Sequence, residues 1–257
     1  MTRLPHPHNH PLPGTVTPAQ ALQWLATGWK LFLKNPGVWL LQSVLLITIL
    51  ILLGLLPVIG GYLTPLALPL LTAGMLSGGL ALERGERLRV AHLFDGFRRH
   101  LANLMVVGVF YALGVRIVHW LGNVIGGNAL LNEVLVGAFS SVGVSVDGAI
   151  FGVLIFTLLW VLLMMALWFA PALVALHDVA PLEAMQISVQ ACFRNPMTFL
   201  VLASLLYMLV WIAMLPFGLG MLVLVPMLAG TLLEAWQDTF HARPALPAPT
   251  HDDAPLS

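Results

Sequence analysis

The strongest constraint on this chain is a set of long stretches that contain no Asp, Glu, Lys or Arg. Residues 35–82 and 195–233 are two of them, and residues 148–177 are a third. Because one helical crossing of a bilayer needs about 20 apolar residues, the first two stretches hold two crossings each and the third holds one. The chain is 59% hydrophobic and only 9% charged, whereas soluble domains carry about 25% charged residues. The sequence therefore predicts an all-α, polytopic membrane helical bundle.

Arg116 determines how the remaining span is placed. The charge-free stretch 100–115 is too short to cross the membrane alone. A helix over 101–121 that includes Arg116 puts this residue at the outer boundary beside Trp120, where a long basic side chain can reach the interface. Arg116 is then either such a boundary residue or a charge that lines a pore. The complete prediction is six transmembrane helices: 37–56, 62–82, 101–121, 149–171, 197–215 and 218–234.

The distribution of Lys and Arg predicts the orientation. Of the 11 basic residues, all except Arg116 fall on one side of these six spans. Since cytoplasmic loops carry an excess of Lys and Arg, both termini are expected in the cytoplasm of a multi-pass protein of the bacterial inner membrane. The domain prediction is a membrane domain over 19–240 between two disordered cytoplasmic tails, 1–18 and 241–257. The first tail is rich in Pro and carries His6, His8 and His10, which we interpret as solvated residues rather than a weak metal site.

An internal repeat divides the membrane domain into three parallel units, about 19–89, 90–180 and 181–240. Asn35 and Asn195 each stand between a basic residue and a proline just before a span, and Asn103 is a weaker third copy. Seven positions before these asparagines lie small residues, namely Gly28, Gly96 and Ser188. Apolar positions upstream keep the same register and share one helical face. Each unit is thus predicted to contain an amphipathic helix followed by a helical hairpin.

The second helix of each predicted hairpin, which we call the return helix, contains a proline followed by small residues. These prolines are Pro69, Pro171 and Pro226. A proline inside a span frees a backbone carbonyl that a neighbour must satisfy, and small residues permit the close approach that this requires. Acidic groups follow at the ends of these helices and are expected to be solvated or, if the repeat holds, to surround a common axis: Glu83, Asp178, Glu234 and Asp238.

Several of these patterns resemble a known group of proteins. The spacing Leu22-x-x-Leu25-x-x-Gly28-Trp29, the Pro69–Gly74 segment and Trp168-Phe169-Ala170-Pro171 resemble uncharacterised proteobacterial inner-membrane proteins. The layout is similar to the YciC-like family and to the membrane domain beside glycerophosphodiester phosphodiesterases. The resemblance covers about residues 19–240. It implies six spans and an inner-membrane location, and it supplies no catalytic residues.

The segment from Glu83 to His100 carries most of the polar chemistry. Its arginines are candidates for contact with lipid headgroups: Arg84, Arg87, Arg89, Arg98 and Arg99. Asp95 is at helical spacing for an ion pair with Arg98 or Arg99. Val90, Leu93 and Phe97 are expected to face the bilayer. Such a helix lies in the interface and attracts anionic headgroups at roughly 1 kcal/mol per basic residue. The segment either sets topology and anchors the chain, or it recognises a headgroup specifically.

Known catalytic and cofactor motifs are missing from the sequence. It has no paired-histidine zinc motif, no Gly-rich phosphate loop and no Gly-x-Ser-x-Gly nucleophile turn. The single cysteine, Cys192, excludes an intramolecular disulfide and a cysteine-based metal cluster. With a formal net charge of +0, nothing indicates a nucleic-acid partner. We therefore predict no catalytic residue, no metal and no cofactor.

Three functions are compatible with this pattern. The favoured one is a non-catalytic membrane protein that organises lipids, an unidentified membrane-protein partner or further copies of itself. The second is a transporter or channel for an uncharged or amphipathic solute, with Arg116 as an outer gate. The third is a membrane enzyme that acts at the interface through residues 83–100.

Overall fold

The structure, a computed structural model, describes residues 12–124 and 146–240. Every regular element in these two ranges is a helix. In chain order the elements are α1 Pro18–Lys34, α2 Pro36–Gly54, α3 Gly60–Glu83, a short 3-10 helix η1 Val90–Phe94, α4 Asp95–Arg99, α5 Leu101–Val124, α6 Val146–Trp168, α7 Ala170–His177, α8 Pro181–Arg194, α9 Pro196–Met214 and α10 Met221–Phe240. The all-helical prediction is confirmed for this part of the chain.

Five segments of the described chain are long and apolar enough to cross a membrane. They are Pro36–Gly54, Gly60–Glu83, Leu101–Gly122, Gly152–His177 and Pro196–Met214. Each overlaps one of the first five predicted spans. Many of their large apolar side chains are exposed, such as Leu52 at 59% and Leu158 at 59%, which is the arrangement expected where lipid rather than water surrounds a helix.

The sixth predicted span corresponds to α10, which differs from the other five. Its apolar part ends at Leu233, and Glu234 and Asp238 follow in its last two turns. At 1.5 Å per residue, the apolar part from Met221 is roughly 20 Å long, shorter than a hydrocarbon core of about 30 Å. Six crossings therefore remain a prediction, while five membrane-capable helices are observed.

The order of the helices follows the predicted units. A helix or helical pair at one end of the bundle precedes two long helices in each unit: α1 before α2 and α3, η1 and α4 before α5 and α6–α7, and α8 before α9 and α10. We call the end where α2, α5 and α9 begin the basic end. Threefold duplication itself remains a prediction.

The three repeat-defining asparagines do not occupy equivalent places. Asn35 and Asn195 each follow the first helix of their predicted unit and precede a proline at the start of the next helix. Asn103 lies inside α5 and is exposed, and His100 occupies the corresponding junction. The difference arises because α4 ends three residues earlier than the alignment on Asn103 implies, and no proline begins α5.

The small residues Gly28, Gly96 and Ser188, which lie in the first helices of the predicted units, contact return helices of other units. A Cβ on Gly28 would meet the carbonyl oxygen of Met227, directly after Pro226, and a Cβ on Gly96 would meet the carbonyl oxygen of Leu70, directly after Pro69. Thus α1 packs on α10, η1 and α4 pack on α3, and α8 packs on α6 and α7. The first helix of each predicted unit therefore packs on the return helix of another unit. Unit one packs on unit three, unit two on unit one, and unit three on unit two, so that the contacts form a closed cycle.

Ser188 makes the third of these contacts through its hydroxyl group. Phe169 lies between α6 and α7, where its N–H would reach the Met165 carbonyl oxygen in a continuous helix. Instead, the Ser188 Oγ accepts from the Phe169 N–H at 3.0 Å and donates to the Met165 oxygen at 2.6 Å. A side chain inserted into the hydrogen-bond ladder bends a helix, and Pro171 follows within the next turn. The return helix of the second unit is therefore broken in two.

Replacing Ser188 by alanine is expected to lower the free energy of unfolding by about 1–3 kcal/mol, because a buried donor and acceptor lose their partner. The matched control is Ser204→Ala, since the exposed Ser204 hydroxyl bonds only within its own helix, to the Leu200 oxygen. Thermal unfolding of the purified protein in detergent, followed by tryptophan fluorescence, measures both. Equal stability of the two variants would contradict this role of Ser188.

The return helices pack against one another through their basic ends. A Cβ on Gly79 of α3 would lie 3.0 Å from Leu233 of α10, and Gln237 donates to the Glu83 carboxylate at 2.6 Å. Between α7 and α10, the rings of His177 and Trp236 lie 4.9 Å apart. Leucines along all three helices are fully buried, namely Leu71, Leu76, Leu173 and Leu233. The axis between the return helices is thus a packed core in the described part of the chain.

The N-terminal segment is fixed before α1 begins. The Asn195 side chain accepts from the Val16 N–H at 2.8 Å and donates to the Gly14 oxygen at 3.0 Å. The Gly14 N–H in turn donates to the Thr239 oxygen at 2.7 Å. Defined structure therefore begins within the segment 1–18 that was predicted to be a disordered tail. His6, His8, His10 and residues 241–257 lie outside the described residues.

Candidate functional site

The five predicted headgroup arginines all lie at the basic end, but only two of them face a common cavity. Arg84 and Arg99 line it, whereas Arg87, Arg89 and Arg98 do not, although all five side chains are exposed. Arg84 follows α3, and Arg99 ends α4. The packing of α4 on α3 therefore selects which of these arginines line the same cavity.

The basic-end cavity has a volume of about 340 Å³ and lies between α3, the η1–α4 segment and α7. Its floor consists of small side chains of α3, chiefly Ala73, Ser77 and Ala81. Its polar wall consists of six side chains: Arg84, Glu86, His92, Asp95, Arg99 and His100. Cavities that bind small ligands are commonly 300–1,000 Å³ with a few convergent polar groups, so this one fits a small polar group.

Two close backbone contacts hold the η1–α4 segment over α3. Gly96 lies on the Leu70 carbonyl, and Gly74 lies beneath the carbonyl of Leu93. Leu93 is consequently fully buried, so the expectation that it faces the bilayer is wrong. Leu93 points inward because Gly74 of α3 has no side chain and lets the Leu93 backbone approach closely. Phe94 and Phe97 instead remain 39% exposed, and their rings lie 6.2 Å apart beside the cavity.

The corresponding interface between α1 and α10 is filled. Trp24 stands as far before Asn35 as His92 stands before Asn103. Asp238 stands as far after Pro226 as Ala81 stands after Pro69. Trp24 is fully buried, and its Nε1 donates to the Asp238 carboxylate at 2.8 Å. The Trp24 indole therefore fills the interface between α1 and α10. At the corresponding place between α3 and α4, the smaller side chains of His92 and Ala81 leave the cavity open. The comparison explains the cavity by side-chain size alone.

The two histidines of the cavity have defined hydrogen bonds. The Arg89 N–H donates to Nδ1 of His92 at 3.2 Å, so the neutral ring carries its proton on Nε2 and can donate from there. Nδ1 of His100 lies 3.1 Å from a carboxylate oxygen of Asp178. The Asp95 carboxylate pairs with neither Arg98 nor Arg99 in the described part of the chain, contrary to the sequence expectation.

The four charged side chains of the cavity offer both donors and acceptors. Arg84 and Arg99 are cationic, Glu86 and Asp95 are anionic, and none of the four forms an ion pair with another in the described residues. The Ser77 hydroxyl is already committed, since it donates to the Ala73 oxygen at 3.0 Å. The cavity therefore offers both cationic and anionic partners to a charged group.

Sequence reasoning missed His92 and His100 as members of the site. A signal for them existed, because positions 92, 95, 96, 99 and 100 fall on one face at helical spacing and are polar or small. The arginines of this segment are the more conspicuous signal, because Lys and Arg also determine membrane topology. Two of the four acidic groups at the helix ends are hydrogen-bonded within the bundle, since Glu83 accepts from Gln237 and Asp238 accepts from Trp24. The Asp178 side chain, in contrast, is 81% exposed.

Arg116 lies at the opposite end of the bundle from this cavity. Its guanidinium carbon is 4.5 Å from the centre of the Tyr62 ring at the start of α3, and the side chain is exposed. A cation over an aromatic face is stabilised electrostatically, by about 0.5–1 kcal/mol at exposed sites. Whether Arg116 is a boundary residue or a pore-lining charge stays a prediction.

Other reactive groups do not form a site in the described part of the chain. No group of three or more His, Cys, Asp or Glu residues there has the arrangement of a metal site. Burial raises the pKa of Cys192 to about 12, which keeps the thiol protonated and unreactive at neutral pH.

Comparison with known proteins identifies a relative from Burkholderia thailandensis that is named "Probable inner membrane protein BTH_II0599". It is 29% identical over 210 residues, which are 78% of this chain and 76% of the relative. No protein-family model matches the chain, and no solved structure matches it. The similarity and the five apolar helices together support a membrane protein, while the resemblance to the YciC-like family stays a prediction.

Proposed function

We propose that this protein is a non-catalytic, multi-pass protein of the bacterial inner membrane that binds lipid headgroups in the basic-end cavity. The observation that carries the proposal is the convergence of Arg84, Arg99, His92 and His100 on one cavity beside exposed aromatic rings. The YciC-like resemblance and the name of the Burkholderia relative agree with the location. The excess of Lys and Arg at this end favours a cytoplasmic orientation for it, and hence for both termini.

The surroundings of the cavity favour an amphipathic ligand. Phe94 and Phe97 lie exposed next to cavity residues Asp95 and Gly96, and Leu101 at the start of α5 is 43% exposed. Phe and Leu side chains on the apolar face of an interfacial helix insert at the boundary between headgroups and acyl chains. A lipid can thus place its headgroup among the polar side chains while its acyl chains follow the apolar surface of α5.

The packed interior favours binding over passage. The buried leucines and the close approach of Gly79 to Leu233 fill the axis between the return helices. A transporter needs a polar or open route near the middle of the membrane. Non-catalytic binding at one end therefore accounts for the described residues better than transport of an uncharged or amphipathic solute does.

The double variant Arg84→Gln/Arg99→Gln is expected to weaken lipid binding by roughly 10-fold to 30-fold, because each basic residue near a headgroup contributes about 1 kcal/mol. The matched control is Arg87→Gln/Arg98→Gln, which removes the same charge from the same end but not from the cavity. We expect less than a threefold effect for the control. Native mass spectrometry of the full chain, titrated with phospholipid in detergent, counts the bound lipids and compares the affinities.

Two results would overturn the proposal. One is equal lipid affinity of the two double variants, which would show that Arg84 and Arg99 act only as general surface charge. The other is the absence of any bound lipid that survives delipidation of the wild-type protein. Thermal unfolding of each variant, measured in the same detergent, shows whether a loss of binding reflects a loss of fold.

A further inference from the structure

We propose that the headgroup bound in this cavity is zwitterionic and carries a primary ammonium group, as phosphoethanolamine does. The inference rests on the proposed function and adds to it the chemical class of the ligand. The juxtaposition that carries it is one cavity with two guanidinium and two carboxylate groups, Arg84 and Arg99 with Glu86 and Asp95.

The balance of charge in the cavity argues against a purely anionic ligand. Within the described residues, the two carboxylates have no ion pair with either arginine. A ligand whose only charge is a phosphate diester would pair with the arginines and place its negative charge near the carboxylates of Glu86 and Asp95. Repulsion between these like charges disfavours such a ligand. A ligand with a phosphate and an ammonium satisfies the guanidinium groups with the first and the carboxylates with the second.

The hydrogen-bonding groups favour a primary over a quaternary ammonium. A primary ammonium donates three hydrogen bonds, and carboxylates only accept. A quaternary ammonium donates none and is typically recognised by a cage of aromatic rings. The wall of this cavity contains no Phe, Tyr or Trp side chain in the described part of the chain. His92 can add a donor from its Nε2, whereas Nδ1 of His100 faces the Asp178 carboxylate.

Size sets a further condition. At about 340 Å³, the cavity is at the lower end of the range for ligand sites, and Ala73, Ser77 and Ala81 allow a small group to reach the surface of α3. A headgroup with a two-carbon arm and an unbranched amine fits this description. A sugar-bearing headgroup is larger and carries no cation for Glu86 and Asp95.

The test is a competition among phospholipids with identical acyl chains that bear phosphoethanolamine, phosphoglycerol or phosphocholine. Full-length protein in detergent receives equimolar mixtures, and native mass spectrometry quantifies the bound species. We expect phosphoethanolamine lipid to be retained threefold to tenfold over each of the other two. In the double variant Glu86→Gln/Asp95→Asn, we expect the preference over phosphoglycerol lipid to vanish, while Glu183→Gln at the same end of the bundle leaves it unchanged.

A separate arm distinguishes a lipid from a free phosphate compound. Soluble phosphoethanolamine and inorganic phosphate are added at millimolar concentration to the lipid-loaded protein, and we expect neither to displace the lipid. Displacement would mean that the site takes a soluble phosphate ester, which overturns the lipid assignment.

The remaining outcomes separate this inference from the proposed function. Wild-type preference for phosphoglycerol lipid, lost in Arg84→Gln/Arg99→Gln, overturns the zwitterion inference and leaves headgroup binding intact. A preference for phosphoethanolamine that persists in Glu86→Gln/Asp95→Asn also overturns it, because the selectivity would then arise elsewhere. Binding that no cavity variant alters overturns both.

Discussion

The double variant Gly28→Val/Gly96→Val is expected to lose the folded state under conditions in which the wild-type protein is stable. A Cβ on Gly28 would meet the Met227 carbonyl oxygen and lie 2.8 Å from the Thr231 backbone nitrogen, and a Cβ on Gly96 would meet the Leu70 carbonyl oxygen. Backbone atoms cannot rotate away as side chains can, so whole helices must separate. Overpacking costs about 1–3 kcal/mol or more at each site, and the two sites lie in different interfaces.

Gly37→Val is the matched control, since a Cβ there has open space around it. Size-exclusion chromatography after expression, with tryptophan fluorescence on heating, measures all variants. We expect Gly37→Val to behave like wild type and each single variant to fall between wild type and the double variant. Normal stability of the double variant would show that the close contacts between the units are not needed for folding.

Trp24→Ala is expected to lower the free energy of unfolding by about 3–5 kcal/mol, the usual cost of removing a large buried aromatic side chain. Trp24 is fully buried between α1 and α10, and its Nε1 donates to Asp238. Trp24→Phe keeps an aromatic ring and removes the donor, so we expect a smaller loss of about 1–3 kcal/mol. Denaturant titration in mixed micelles, followed by circular dichroism, measures the difference.

Trp29→Ala provides the control on the same helix. Trp29 is 43% exposed and its ring contacts Phe32 within α1, so its loss should cost much less than that of Trp24. If the two alanine variants are equally stable, α1 does not depend on the α10 interface. The order Trp24→Ala, Trp24→Phe, Trp29→Ala, from least to most stable, is the result expected from the structure.

The membrane architecture could be read from the sequence because its causes are local. The lack of charge over 35–82 and 195–233 forces apolar helices. Three of the four spans predicted there agree with membrane-capable helices within two residues. The fourth, 218–234, corresponds to α10, which runs from Met221 to Phe240. The register of Gly28, Gly96 and Ser188 is visible for the same reason, since a small residue at a fixed offset marks a close approach. Their partners are not visible, because each lies in a different unit.

The remaining features depend on packing between distant residues. Nothing near Ser188 indicates that its hydroxyl enters the break between α6 and α7, and nothing near Asn195 indicates that it holds residues 14–16. The inward turn of Leu93 depends on Gly74, on another helix. The cavity likewise exists because the side chains of α3 beneath His92 are small, which only the pairing of α3 with α4 reveals.

Electron cryomicroscopy of the protein in nanodiscs of phosphoethanolamine and phosphoglycerol lipids tests the central claim, headgroup binding in the basic-end cavity, most directly. The expected result is density for one headgroup in the cavity, with its phosphate beside the guanidinium groups of Arg84 and Arg99 and its acyl chains along α5. Well-resolved annular lipids around the helices, together with a cavity that contains no headgroup density, would contradict the claim.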